Sequence, residues 1–481
     1  MRLKRKLAWL LAAMLIAGLM ACSNGGTRDG GGNEGSGGNM APADNTGASD
    51  KTTQTSAEKG PVKLRYMVWG SPNEKKAVEE YSKKYMELNP NVSIEVIHVP
   101  NDNYATKVAT MVDGNDAPDL AYMSEAQAYE LAAQGKLVDI FERLDVDPDF
   151  KQENYAPNVF YQYEPGKSLG RRIGIGAMGM YYNTEIFEKA GIDPLPRDPA
   201  NTMTWDQFVN LAKKLTIDAS GKNALDPAFN PEKIKQYGFM METWWANYLP
   251  MVMSNGGSFV NEDGTKFGLS EPAAYEAIQK LADLINVHHV APSPVQLKSL
   301  PNLATSLQTG KAAMIFGGNW LTLDLSAAKA KFGYGLFPKM KENASIILAS
   351  PVVIFKSTKN LDEAWKFYKY AADPSAAIGI YADGLSIPVL KDWLTDEEKL
   401  KQWAVNDKHP DGYVDVMIKP LFAETTKPGP PDLLKNYGKI DTIVTPALDN
   451  VWLGKTSAKE AMDSIKRQVE AELQGVYEWT N

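Results

Sequence analysis

The sequence predicts an α/β protein in two large lobes, preceded by an export leader and a polar tether. Three observations predict it. From Val62 onward, short alternating apolar stretches are each followed by a stretch with apolar residues at helical spacing, the rhythm of strands joined by helices in a largely parallel sheet. The region with this rhythm runs for about 420 residues, too many for one simple core. The residues before Pro61 have a different composition altogether, with an apolar run followed by Gly, Asn, Ser and Thr.

Arg2, Lys4, Arg5 and Lys6 form a positive n-region ahead of the almost wholly apolar Leu7–Met20. This is the layout of a cleavable export signal. A comfortable membrane span needs about 20 apolar residues, so the run is too short to be one. It ends in Leu19-Met20-Ala21-Cys22, and Cys22 is the only cysteine of the chain. The segment resembles a bacterial lipoprotein signal. That resemblance implies removal of residues 1–21 and acylation of Cys22. Each buried methylene of an acyl chain contributes about 0.8 kcal/mol, so a multiply acylated cysteine anchors firmly. With no second thiol, disulfides, cysteine zinc sites and thiol nucleophiles are excluded. Residues 22–60 have almost no large apolar side chain and cannot offset the entropy of ordering, so they are expected to be a flexible tether. The formal charge of −8 becomes −12 once the four basic leader residues are gone. That excess of acid argues against nucleic acid as a partner and against electrostatic docking to anionic lipid.

The elements then follow in order. Val62–Trp69 alternates as a strand, and Gly70-Ser71-Pro72-Asn73 turns into a helix capped by Ser71 with Pro72 at its first position. Ala77, Val78, Tyr81, Tyr85 and Leu88 carry the helical spacing until Asn89-Pro90-Asn91 breaks it. Val92–Ile97 is a second strand, Tyr104–Val112 a second helix, Ala117–Tyr122 leads into a third strand, and Ala126–Ala133 is a third helix. Similar units recur to the C-terminus, with late helices expected at Leu361–Ala372 and Ser457–Gln474.

Several segments, in this order and spacing, resemble one family. They are Asn89-Pro90-Asn91-Val92, Ala117-Pro118-Asp119-Leu120, Gly135-Lys136-Leu137-Val138-Asp139, Met180–Gly191, Thr204-Trp205-Asp206-Gln207-Phe208, Ser254-Asn255-Gly256-Gly257 and Gly310-Lys311-Ala312-Ala313-Met314. The chain from Pro61 to Asn481 resembles extracellular solute-binding proteins of sugar-type ABC importers, similar to maltose-binding proteins. The resemblance implies a two-lobed periplasmic-binding-protein-like fold of type II, with a ligand cleft between lobes joined by two or three crossovers. Lobe one is expected at 61–174 plus 346–385, and lobe two at 175–345 plus 386–481. It also implies a carbohydrate ligand, the permease subunits of an ABC transporter as partner, no cofactor and no covalent chemistry. A monomer held by lipid on Cys22 at the extracytoplasmic face of the cell membrane is the expected form. An exported, lipid-tethered glycoside hydrolase and a sugar-sensing surface lipoprotein are the alternatives.

A sugar offers C–H faces to aromatic planes and hydroxyl edges to polar groups, and open α/β sheets bind ligands beyond the C-terminal ends of their strands. Trp69 and Ser71 follow the first strand, and Ser124 and Glu125 follow the third. Glu125 can accept sugar hydroxyls, or simply favour a helix start by complementing the macrodipole. Glu242, Trp244 and Trp245 stand before Ala246-Asn247-Tyr248, and adjacent tryptophans are hard to bury together. Asn319 and Trp320 follow an apolar strand ending in Gly317-Gly318, where a backbone can approach a ligand closely. The resemblance places aromatics against the sugar at Trp244–Trp245 and Trp320, and a late cleft residue at Tyr437.

Three motifs are read as unrelated to function. Gly174–Gly179 matches G-x-G-x-x-G, but Met180-Tyr181-Tyr182 after it reads as a strand where a dinucleotide site needs a helix. It is expected to be a lobe crossover. Asp145–Asp149 begins like a calcium loop but contains Pro148 and has Ala156 where the bidentate Glu belongs. His98, His288, His289 and His409 form no catalytic or metal pattern.

Overall fold

The computed structural model describes residues 60–148, 151–156 and 158–477. The leader, Cys22 and all of the tether but Gly60 lie outside the described residues. Two mixed sheets organise the chain. The first has strand order β2-β1-β3-β12-β5-β4, with β1 at Val62–Val68, β2 at Val92–His98, β3 at Leu120–Tyr122, β4 at Phe160–Glu164, β5 at Lys167–Arg172 and β12 at Pro351–Ile354. The second runs β13-β11-β6-β9-β8-β7, with β10 also paired to β6. Its strands are β6 at Gly176–Asn183, β7 at Ile217–Asp218, β8 at Ile234–Met240, β9 at Ala312–Gly318, β10 at Phe332–Gly335, β11 at Ser345–Leu348 and β13 at Thr426–Pro428.

The opening βαβαβ unit forms as the sequence predicts. β1 pairs in parallel with both β2 and β3. Ser71 caps the helix Pro72–Leu88 by accepting from the Glu74 amide, with Pro72 in the first turn. Ala77, Val78, Tyr81 and Tyr85 are its buried stripe, while Leu88 at its last turn is exposed. The largely parallel sheet is corrected. β4 and β5 form an antiparallel hairpin, β12 runs antiparallel to both of its neighbours, and in the second sheet only β8–β9 and β11–β13 are parallel. A hairpin and a strand returning from the other sheet both reverse direction, which the local βαβ rhythm does not reveal.

The chain passes between the sheets at Ile173–Ile175 and again at Ala349–Ser350, and Ile387 bridges to Ile175 beside the first passage. Ser345–Leu348 pairs with β6 in the second sheet, while residues from 346 onward are expected by resemblance in lobe one. The alternating pattern of this short strand suits either sheet, and pairing decides between them. At Gly174 a Cβ would lie 1.7 Å from Ser386 Oγ and 2.9 Å from Ile387 O, so only glycine lets the two segments pass. No helix opens on Gly174–Gly179; these residues run directly into β6. Asp147, from the calcium-like stretch, instead accepts from the Trp365 indole at 2.9 Å and from Lys369 at 2.5 Å.

Candidate functional site

A cavity of about 530 Å³ lies between the two sheets. Its floor is the crossover backbone, Ile173–Gly176 and Leu348–Ser350, with Leu385 and Ser386. The first sheet contributes Trp69 after β1, Tyr122 at the end of β3, and Ser124, Glu125 and Gln127 from the turn into the helix Glu125–Ala133. The second contributes Glu242, Trp244 and Trp245 after β8, and Asn319 and Trp320 after β9. Each group sits where a strand ends, as the topology rule for open sheets requires. A second cavity of about 610 Å³ lies beside β11 and β13, lined by Arg197, Asp198, Asp415 and Lys419 and by no tryptophan.

The aromatic residues form two walls. Trp69 meets Tyr104 edge-on at 4.8 Å between centroids and Tyr122 at 5.5 Å. The Tyr104 hydroxyl donates to Met67 O and Tyr122 O, which fixes the ring behind Trp69. On the other wall Trp244 lies 5.3 Å from Trp245 and 6.5 Å from Trp320. Trp320 rests on Gly318, where a Cβ would sit 2.1 Å from the indole, and Trp245 rests on Gly429 at 2.2 Å in the same sense. Trp69, Trp244, Trp245 and Trp320 are each half-buried, whereas Trp403 and Trp452 are wholly internal. Half-buried indoles backed by glycine backbone or by neighbouring rings offer pre-set planes to a ligand.

Carboxylates supply the edges. Glu125 accepts from Ser350 Oγ at 3.4 Å. Burial and the neighbouring Asp432 carboxylate push its pKa upward. Glu74 folds over Gly70, whose φ of 124° only glycine adopts readily, and burial together with Asp324 pushes its pKa up to about 7. Glu242 stands exposed at the rim. Ser124 makes no capping bond through its side chain. Gln127 donates to Ala105 O at 3.0 Å, and its Oε1 is buried with no partner.

The structure therefore brings Trp69, Ser124, Glu125, Glu242, Trp244, Trp245, Asn319 and Trp320 around one cavity. Ser71 and Tyr437 are not among its lining. The Ser71 hydroxyl caps a helix and donates to Asp324 Oδ1 at 3.0 Å. Tyr437 is buried at a helix start, with its hydroxyl donating to Asp441 at 3.1 Å. Asn319 borders the cavity, but its amide is engaged, accepting from Ala177 N at 3.0 Å and donating to Leu385 O at 3.2 Å. It holds β9 to β6 and to the crossover.

Sequence reasoning missed Glu74, Asn101, Tyr104, Gln127, Ser350 and Ser386. Ser71-Pro72-Asn73-Glu74 reads as a helix-start signature, which assigns Glu74 to capping. Ser350 and Ser386 lie in crossovers that carry no local pattern. None of the four histidines lines the cavity, and among the described residues no cluster of His, Cys, Asp and Glu is suited to a metal. No described helix is long and apolar enough to cross a membrane.

The chain is 24% identical over 411 residues to the maltodextrin-binding protein of Bacillus subtilis, covering 82% of this chain and 89% of that one. It is 24% identical over 407 residues to the sn-glycerol-3-phosphate-binding periplasmic protein of Salmonella typhimurium, covering 81% and 87%. Its fold matches an ABC substrate-binding protein of Listeria monocytogenes solved with cycloalternan, with a TM-score of 0.73, 22% identity, and 85% and 98% of the two chains covered. The family model described as bacterial extracellular solute-binding protein matches residues 69–378, and the chain belongs to that family.

Proposed function

We propose that this chain is a lipid-anchored receptor that captures a saccharide in the cavity between its sheets and delivers it to the permease of an ABC importer. Binding and release are its whole chemistry, as for solute-binding proteins generally. The observation that carries the reading is the pair of aromatic walls, Trp69 with its tyrosines on one side and Trp244, Trp245 and Trp320 on the other. Two planes across one cavity suit a ring held by both faces, with Ser124, Glu125 and Glu242 at its hydroxyl edges. The names of the Bacillus and Listeria proteins, which specify maltodextrin and cycloalternan, favour an oligosaccharide. The first lobe is assigned to the first sheet and the second lobe to the second. They close around the ligand, and the permease reads the closed form. Cys22 is the lipid attachment, and the polar segment 22–60 is the tether that keeps the monomeric receptor close to its permease.

Calorimetry of the purified protein against mono- and oligosaccharides, with chromatography of each sugar afterwards, tests the proposal. Stoichiometric binding with the sugar recovered intact is expected. Turnover would instead indicate a glycosidase, and an absence of binding to every glycan would refute the saccharide reading.

A further inference from the structure

We propose that the cavity selects saccharides bearing a free amine over their neutral counterparts, and rejects phosphorylated ones. This rests on the saccharide reading above and specifies the ligand's charge. The hydroxyls of a neutral sugar both donate and accept, whereas an ammonium donates three hydrogen bonds and accepts none. Apart from tyrosine hydroxyls, the ionisable side chains among the described lining residues are all acids. The cavity presents the acidic side chains of Glu74, Glu125 and Glu242, and the buried Gln127 Oε1 has no partner. Among the described residues that line it there is no Lys, Arg or His. Arg172, the buried cation whose charge reaches Glu125, is paired with Asp432 at 2.9 Å.

Further acid stands behind the lining. Burial, with Asp324 beside Glu74 and Asp432 beside Glu125, raises these pKa values to about 7 and about 8, so the acids hold protons near neutral pH that an ammonium ligand displaces. The tryptophan faces suit the same ligand, because an indole attracts a cation through its quadrupole as well as packing on C–H groups. A phosphate would meet three acidic side chains and no cation among the described lining residues. The helix N-terminus at the cavity, which elsewhere can hold an anion, carries Glu125 as its first residue.

Matched ligand pairs test this on the whole chain by calorimetry at neutral pH. The pairs are chitotriose against its N-acetylated form and maltotriose against an amino-substituted maltotriose, with sn-glycerol 3-phosphate and spermidine as further probes. At least one amine-bearing member should bind tenfold or more tighter than its neutral partner, and glycerol phosphate should not bind. The double variant Glu74→Gln, Glu125→Gln keeps side-chain volume and should bring the affinity ratio within each pair to about one. Equal or tighter binding of the neutral members, or binding of glycerol phosphate, overturns the charge selection and leaves the saccharide receptor standing. A preference unchanged in the double variant also overturns it. If no saccharide binds, or spermidine binds more tightly than all of them, both readings fail together.

Discussion

Removing the carboxylate of Asp432 should be among the most destabilising single changes in the protein. Asp432 lies on the short helix Pro430–Leu433, and its Oδ2 meets Arg172 Nη2 of β5 at 2.9 Å, with the two side chains only 2% and 1% exposed. The guanidinium is also held by Tyr161 Oη and Ala349 O at 3.0 Å each, and by Asn158 O at 2.7 Å. Asp432→Ala removes the carboxylate hydrogen-bonded to a buried cation, and breaking such a pair costs about 3–5 kcal/mol. Melting releases about 2.1 cal/mol/K per residue, or about 0.9 kcal/mol/K over about 415 residues, so the loss corresponds to a Tm lower by roughly 3–6 °C. Scanning calorimetry of the parent and variant at neutral pH measures it. Arg172→Met combined with Asp432→Leu should recover most of the loss, because an apolar pair leaves no stranded charge. A Tm change below about 1 °C for Asp432→Ala would refute the claim that this pair compensates a buried charge.

Four further outcomes are expected. Trp320→Ala removes an aromatic plane held over Gly318 and should weaken saccharide affinity by about tenfold or more, with an unchanged circular dichroism spectrum, read by calorimetry. Asp324 accepts from Ser71 at 3.0 Å and Asn73 at 2.8 Å, joining the helix after β9 to the one after β1, so Asp324→Ala should favour the open form. With a partly exposed contribution of about 1 kcal/mol, affinity should fall several-fold and the radius of gyration of the free protein should rise in solution scattering. The pKa of Glu125 is raised by burial and Asp432 to about 8, against the lowering effect of Arg172, so the folded state binds its proton more strongly than the unfolded chain. The stability this lends is full below the ordinary carboxylate range and is lost as pH rises through the raised value. Glu125→Gln should therefore flatten the decline of Tm between about pH 5 and 9 and be the more stable protein at the upper end. Cys22→Ser should move the protein from the membrane fraction to the soluble fraction of expressing cells; continued membrane association would remove Cys22 as the anchor.

The legible part of the fold is the local part. The helix Pro72–Leu88 could be read because Ser71, Pro72 and the apolar spacing act within a few residues of one another. The antiparallel β12 and the placement of Ser345–Leu348 in the second sheet could not, because register and partner are chosen by segments well over a hundred residues away. The site divides in the same way. Trp69, Trp244, Trp245 and Trp320 stand at strand ends or in glycine-rich turns, and each sits on the cavity. Ser71 carried the same local signature, yet its hydroxyl is engaged by a helix start and by Asp324 from the other sheet. Tyr437 was placed by resemblance across loops of different length, and it is internal. Glu74 carried a capping signature, and only the close approach of its carboxylate to Gly70 turns it into the cavity.

By itself, the sequence led to the expectation of an export leader ending at a single cysteine and of a polar tether, and it determined the α/β character with two lobes and a set of aromatics suited to a sugar, because each of these is written in composition or short-range periodicity. Only the tertiary structure decided which polar groups stand beside those aromatics. Glu74 and Glu125 share the cavity with Ser350 and Ser386 from the crossovers, while Arg172 is withdrawn into a buried pair with Asp432. The charge of the cavity is thus set by which carboxylates keep a counter-ion and which do not. That balance depends on distances across the two sheets, and no stretch of sequence contains it.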